Sequence, residues 1–317
     1  MSDNLFNPTS DPQILTGAML VELNLRQFGL TRKLGMTETK SIADDHNSKI
    51  YFTGGHSPTT KASKWIIPKH LYDPIQKYQS ETRRIHNEYT CGMRWTTNMD
   101  IMSTRMYSGG GHGMQPYATF IEDRKMGLES LKHEFAYTIY PQAVIAAKND
   151  LGDLYEDSDY PTKDEVYQTI SMTVNVTPIA KGSDFRCSLD PKVQEEMAQE
   201  HDKRLLEVQK SSVMRLIAGL SEKVQHVKDS IENDKVLHDK TLADLYKHAI
   251  NLPAIDFTSD DTLSDIASQV AMSLMDQGNL DKDSLKDEAV RQRTKQEADE
   301  LAKKLDAYAD VKQQEAT

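Results

Sequence analysis

The sequence predicts an α+β chain, with a mixed N-terminal domain of a few antiparallel strands and helices followed by an elongated helical, coiled-coil-like domain. Three observations predict it. Residues 19–25 and 170–176 alternate apolar and polar with period two, as half-buried strands do. From Val213 to Ile231 apolar residues step by four, three, four, three and four, the spacing of a helical seam. No Gly or Pro occurs from Lys192 to Ala218, whereas turn residues are scattered before Pro191. The expected organisation is a flexible leader over 1–16, a mixed domain over 17–190 and a helical domain over 191–317.

The leader is rich in Asn, Asp, Ser, Thr and Pro. The first strand places Met19, Val21, Leu23 and Leu25 on one face. Gly29 and residues 31–40 read as a turn into a short helix, and Gly54, Gly55 and Pro58 mark a loop. After Pro68, helical spacing sets Ile75, Tyr78, Ile85 and Tyr89 on an inner face, and 91–102 reads as irregular strand. Gly109, Gly110, Gly111 and Gly113 around His112 form a loop. It lacks a phosphate-binding fingerprint, because no Gly-Lys-Ser/Thr ending follows. A helix starts near Thr119 with Leu128, Leu131, Phe135 and Ile139 inward. Pro141 kinks it or begins the next, which carries Val144, Ala147, Leu151 and Leu154. Residues 159–162 act as a stop and a new N-cap for a short helix near 163–166. A second strand holds Ile170, Met172, Val174 and Val176, and Phe185, Cys187 and Leu189 suggest a third.

The seam itself consists of Val213, Ile217, Leu220, Val224, Val227 and Ile231. It continues less cleanly backward through Leu206 and forward through Leu242, Leu245 and Ala249, until Pro253 ends it. As an interaction surface it would take a protein partner or another copy of the chain; packing against later helices of the same chain is the alternative. Those later helices start near residue 260, with Leu263, Ile266, Val270 and Leu274 inward and Gly278 closing, and near 283, with Leu285, Ala289, Leu301 and Leu305 on one side. The last is highly charged and is expected to be half exposed or frayed toward Thr317.

Forty-nine acids against 38 bases give a net charge of −11. The imbalance is local: residues 1–107 carry 13 bases and 10 acids, and residues after 190 carry 18 bases and 26 acids. Basic residues interleaved with aromatics in the first hundred suit a single-stranded nucleic acid, where cations meet phosphates and rings stack on bases. The candidates are Arg26, Arg32, Lys33, Lys61, Lys64, Trp65, Arg94 and Trp95; a core with solvated lysines is the plainer reading of the same residues. No run approaches the roughly 18 apolar residues of a membrane helix, and the N-terminus shows no basic and apolar regions of a secretory signal. Two cysteines, Cys91 and Cys187, suit a reduced cytosolic chain. The ten histidines fall in no His-x-x-x-His or Cys-x-x-Cys spacing, so no metal, cofactor or catalytic motif is expected, and the chain reads as a non-enzyme.

A resemblance adds context. Its motifs are Phe135 with Tyr140, Leu151-Gly152-Asp153-Leu154-Tyr155, Asp159-Tyr160-Pro161, Thr177-Pro178, Asp184-Phe185-Arg186 and the run from Leu252 to Asp260, with Leu20 to Arg26 and Arg32-Lys33-Leu34 near the start. Over about 17–35 and 120–275 the chain resembles an uncharacterised family of tailed phages and bacterial mobile elements. That family is encoded beside a MoxR-type AAA+ ATPase and a CobT-like von Willebrand factor A protein. The resemblance implies a cytoplasmic binding or adaptor protein for that machine in the infected cell. The alternatives are a single-stranded nucleic-acid-binding protein of replication or recombination, and a self-assembling structural phage protein. Each motif also has a structural reading as a turn, cap or hairpin brace.

Overall fold

A computed structural model describes residues 14–33, 63–182, 190–233, 235, 237–275 and 283–315. The protein is mostly helical with a small sheet, so α+β holds at the level of class. It forms two compact units that do not divide at residue 190. A helical unit comprises Met1–Glu22, Ile85–Phe120 and Asn175–Thr317; a mixed unit comprises Leu23–Arg84 and Ile121–Val174. The sequence boundary follows a change in composition, whereas the units follow which segments pack together, and Ile85–Phe120 packs with the helices.

In the helical unit, the end of the expected leader is already ordered. Ile14–Gly17 is one helical turn (α1), with Ile14 fully buried and its N–H donating to Gln209 Oε1 at 3.1 Å. Strand β1, Ala18–Arg26, follows at once. Val21 and Leu23 are buried as the alternation predicts, but Ala18 and Leu20 on the opposite face are buried too. The strand is central in a three-stranded sheet ordered β4-β1-β5, in which β4 is Asp100–Ser103 and β5 is Ser171–Pro178. The antiparallel register of β1 with β4 runs from Ala18 opposite Ser103 to Val21 opposite Asp100. A short helix α3, Thr104–Ser108, is N-capped by Ser103, which accepts the Arg105 N–H at 3.2 Å.

The long helix α7 spans Pro191–Glu232, 42 residues, or roughly 63 Å at about 1.5 Å per residue. Asp190 caps it by accepting the Lys192 N–H at 2.9 Å, and Pro191 sits at its first position, where a missing N–H costs nothing. All six seam residues, Val213, Ile217, Leu220, Val224, Val227 and Ile231, are buried. They are covered by the chain's own α8 (Asp239–Ile255), α9 (Asp261–Met275) and α10 (Glu288–Glu315). An apolar stripe that is already covered cannot serve as a partner or oligomer surface. The seam is a core, and its reading as an interface is corrected accordingly. Leu242, Leu245 and Ala249 do not extend it but form the inner face of the separate helix α8, and Leu205 rather than Leu206 is its buried N-terminal neighbour.

Pro253 lies inside the last turn of α8 rather than ending it. The stop comes three residues later, where Asp256 gathers the following amides: Oδ1 accepts the Thr258 N–H at 2.8 Å and its hydroxyl at 2.6 Å, and Oδ2 accepts the Asp260 N–H at 2.9 Å. Asp260 in turn accepts the Leu263 N–H at 3.0 Å, opening α9. The inner face of α9 includes buried Leu263, Ile266 and Val270, as expected. The side chain of Leu274, Gly278 and the third expected strand lie outside the described residues. Helix α10 buries Leu301 and Leu305, while Ala289 is exposed. Its far end is pinned, not frayed: buried Lys312 meets Asp260 at 3.1 Å. Burial pushes the Asp260 carboxyl up, but Tyr308, the Leu263 N–H and Lys312 outweigh it and hold it below the usual carboxylate range.

In the mixed unit an antiparallel hairpin pairs β2 (Thr31–Lys33) with β3 (Ser63–Trp65). The core is aromatic. Phe28, Tyr72, Phe135 and Tyr140 meet with ring centroids 5.0–6.5 Å apart, and Tyr72 accepts the Phe28 N–H at 2.9 Å. Helix α2 spans Asp73–Thr90 and α4 spans Tyr117–Glu134, of which Asp73–Arg84 and Ile121–Glu134 belong to this unit. Pro141 has the effect its chemistry requires. Without an N–H it cannot continue the α-helical ladder, so a π-helical turn, Phe135–Ile139, intervenes before α5, Tyr140–Leu151. Thr162 caps α6, Lys163–Thr169, through a reciprocal box with Glu165, as the sequence predicts.

Because the seam is intramolecular, Leu220→Ala is expected to destabilise the helical unit by about 2–5 kcal/mol. The loss in denaturant midpoint should be the same at protein concentrations tenfold apart; a loss that shrinks at high concentration would identify an intermolecular seam. A second expectation concerns pH. Lys228, on α7, donates to Asp299, on α10, at 2.6 Å, and this bond with that from Lys303 holds the Asp299 carboxyl down to about 2. A lowered carboxylate contributes stability that is present above its unfolded pKa and is lost as pH falls through the folded one. The difference in melting temperature between the protein and Asp299→Asn should therefore be full above about pH 4 and vanish toward pH 2.

Candidate functional site

Of the eight residues that suggest a nucleic-acid surface, the structure places Arg26, Arg32, Lys33, Lys64 and Trp65 in the mixed unit and Arg94 and Trp95 in the helical unit. Lys61 lies outside the described residues. The hairpin register sorts the first group. Arg32 is opposite Lys64 on one face; Thr31 is opposite Trp65 and Lys33 opposite Ser63 on the other. That second face is exposed throughout, with Trp65 at 51%. The first is turned inward. Lys64 is 7% exposed, pairs with Asp159 at 2.8 Å and donates to the Leu154 carbonyl. Arg32 approaches the same carboxylate at 3.9 Å. Lys64 is thus a buried, neutralised brace holding the 154–159 segment, and is withdrawn from the list of phosphate ligands. Asp159-Tyr160-Pro161 is part of the same brace, since Tyr140 donates its hydroxyl to the Pro161 carbonyl at 2.8 Å.

Arg94 and Trp95 open a tight turn closed by Trp95 N–H donating to Met99 O at 2.9 Å. Arg94 bonds the Thr97 carbonyl at 3.1 Å and faces Asp100 at 3.7 Å. The Trp95 ring lies against α7: its centroid is 5.1 Å from the Arg204 guanidinium and 6.2 Å from the His201 ring. Neither Arg204 nor His201 is legible as a neighbour of Trp95, because more than a hundred residues separate them. The same turn is fastened further along α7, where Arg215 Nε donates to the Cys91 carbonyl at 2.9 Å.

No residue of α7 before Leu205 is buried. Its first 14 residues span roughly 21 Å, and on them Val193 and Met197, four apart, are 43% and 42% exposed. The chain before this helix is tethered to it from next to Met197 round to the far side: His201 Nε2 lies 2.9 Å from the Ala180 carbonyl, and Asp202, on the opposite face, accepts the Gly182 N–H at 2.8 Å. The sequence places Val193 and Met197 on the helix without distinguishing them from the seam, because hydropathy is the same whether a stripe is covered or open.

Two buried polar groups in the helical unit are enclosed by their neighbours. In the helical unit His86 joins Asp100 Oδ2 at 2.9 Å through Nε2 and the Tyr117 hydroxyl at 2.7 Å through Nδ1. A carboxylate only accepts, so Nε2 carries the proton and Nδ1 accepts from Tyr117. Burial pushes the Tyr117 hydroxyl well above its usual pKa, and neighbouring Asp100 adds to this, so it remains a donor. All three residues are buried, so substrate cannot reach them. Burial likewise pushes the Cys91 thiol up to about 12, which removes it as a nucleophile at neutral pH. The glycine loop is also tied down. Gly111 and Met114 exchange both backbone hydrogen bonds, and Asn251 Nδ2 donates to the His112 carbonyl at 3.2 Å. At Gly110, whose φ is +72°, a Cβ would run into the backbone of Met114 to Pro116, so glycine is required there, whereas a side chain at 111 would have to displace the Asn251 amide. Among the described residues no group of three His, Cys, Asp or Glu side chains is placed to hold a metal ion.

The two lysine–tryptophan neighbours should therefore separate cleanly. Lys64→Ala leaves the Asp159 carboxylate without its closest cation and is expected to cost about 3 kcal/mol, the low end for breaking a buried pair. Trp65→Ala is expected to stay within about 0.5 kcal/mol. Urea unfolding measures both, and equal losses would refute the brace. Comparison of the chain with protein-family models, with curated proteins and with solved structures returned no match in any of the three.

Proposed function

We propose that this chain is a binding protein, an adaptor for a protein partner, and that the partner is the AAA+ ATPase–von Willebrand factor A machine implied by the family it resembles. One observation carries the reading: the distribution of charge and open apolar surface. The helical unit holds 22 bases and 33 acids, and the mixed unit 16 of each, so the whole net charge of −11 belongs to the helical unit. That unit covers its long seam with its own helices yet leaves Val193 and Met197 open at the start of α7. An acidic surface repels a polyphosphate and attracts a basic protein.

The hairpin face with Lys33 and Trp65 supports a second reading, single-stranded nucleic-acid binding by the mixed unit, where an exposed ring beside a cation suits base stacking. Its charge balance argues against it as the main role.

Co-expression of the full chain with the ATPase and von Willebrand factor A proteins encoded beside members of the family tests the first reading. A complex that co-elutes at micromolar concentration supports it. The absence of a complex both with and without ATP, alongside a salt-sensitive shift with oligothymidylate, would replace it with the second.

A further inference from the structure

Helix α7 carries a single glycine, Gly219, near the middle of its buried stripe. A glycine inside a helix costs stability relative to alanine, so a packed helix keeps one where a neighbour forbids a side chain. Gly127 in α4 is such a case, because a Cβ there would strike the Tyr78 hydroxyl. Gly219 is not. A Cβ built on it would meet only the His248 ring of α8 within 4 Å, with Nε2 at 3.6 Å and Cε1 at 3.7 Å, which is ordinary van der Waals contact. Alanine would fit, and Gly219 is itself half-exposed. The missing side chain leaves a notch on α7, and His248 forms its inner wall.

Nitrogen donors converge on the notch. His248 Nε2 is buried, and no group among the described residues hydrogen-bonds it. Arg215 and Lys223 lie four residues to either side of Gly219, about 40° round the helix in opposite senses, so the two cations flank it. Arg215 commits only its Nε, to the Cys91 carbonyl at 2.9 Å, and Lys223 makes no hydrogen bond or ion pair among the described residues. Three carboxylates belong to the same neighbourhood. Glu88 is paired with Lys247 at 2.7 Å, and Glu222 and Asp244 are exposed. The field at the notch is positive even so. Burial first and Lys223 second push His248 down to about 4, and no carboxylate opposes them. At Cys91, after burial, Lys223 and Arg215 act more strongly than Glu88.

We propose that the notch at Gly219 is a binding site for a small oxyanion, a carboxylate or a phosphate, which accepts from His248 Nε2 and Lys223 and meets Arg215 at its rim. A neutral imidazole has one N–H to give, and an acceptor beside Nε2 draws the proton to that nitrogen. The net acidity of the helical unit does not prevent this, since charges beyond about 8 Å are largely screened at physiological salt. Charge-assisted bonds to an oxyanion are the strong ones, and the shielded position of Nε2 strengthens them further. The site goes beyond the adaptor reading and needs no protein partner.

His248 carries the readout. In the full chain labelled with 13C-histidine, its Cε1–H resonance, assigned by its loss in His248→Gln, is followed by NMR during titration with sodium phosphate, acetate or chloride at matched ionic strength. Phosphate or acetate is expected to move the resonance saturably and chloride is not; the tighter of the two oxyanions identifies the ligand class. Gly219→Ala should melt higher than the parent, because alanine suits the helix, yet bind the oxyanion at least tenfold more weakly, because its methyl fills the notch. Lys223→Gln should lose at least tenfold as well. Lys286→Gln, at an exposed lysine of the same unit away from the notch, should bind as the parent does. A resonance that all three salts move alike, undiminished binding by Gly219→Ala, or an equal loss in Lys286→Gln overturns the proposal. So does a Gly219→Ala protein that melts lower than the parent, since the space would then be filled by the protein itself.

Discussion

A helix of 42 residues with one apolar stripe has to cover that stripe, and in this protein it does so with its own chain. The rest of the helical unit follows from that constraint. Helices α8, α9 and α10 pack on α7, and the α8–α9 connection is tied by polar side chains beside buried Phe257. Asp256 ends one helix and Asp260 begins the next, and Lys312 returns from near the end of the chain to meet Asp260. Lys228 and Asp299 tie α7 to α10 nearer the middle. The apolar contacts supply the driving force. The polar ties decide where each helix stops, since a buried amide without a partner costs more than a hydrogen bond gains.

The same accounting applies to the buried polar groups. Asp100, His86 and Tyr117 have the connectivity of a proton relay, yet each member satisfies its neighbour inside a packed unit. Burial pushes the Asp256 carboxyl up even though three donors oppose the shift, so its place is held by the backbone it organises. His248 is pushed down to about 4 by burial and by Lys223, and is neutral at physiological pH. Tyr117, Asp256 and His248 are perturbed because they are enclosed.

What the sequence made legible was local. Period two at 19–25, the cap at Thr162, the break at Pro141 and the seam from Val213 to Ile231 are all written in neighbouring residues, and each has its counterpart in the structure. What it could not specify was which faces meet. The seam has the same spacing whether a sister helix or a second chain covers it. Lys64 and Trp65 are adjacent and alternate in direction, so one becomes a buried brace and the other an exposed ring. Trp95 finds Arg204, and Arg215 finds Cys91, across more than a hundred residues. The unit boundaries fail for the same reason, because a change in composition at 190 marks where helices begin and not what they pack with.

Charge gives the firmest constraint on partners. The first 107 residues carry a small excess of base, which suggests a cationic domain when the chain is read linearly. Folding redistributes it: Ile85–Phe120 joins the acidic helices, the mixed unit becomes neutral, and Lys64 is neutralised within it. No cationic unit remains to gather a phosphate backbone. At about 0.15 M salt, charges interact appreciably only within some 8 Å, so the local surface matters more than the total. At the start of α7 that surface carries half-open Val193 and Met197 with Lys192, Glu196, Glu200 and Lys203 exposed beside them, acids and bases mixed.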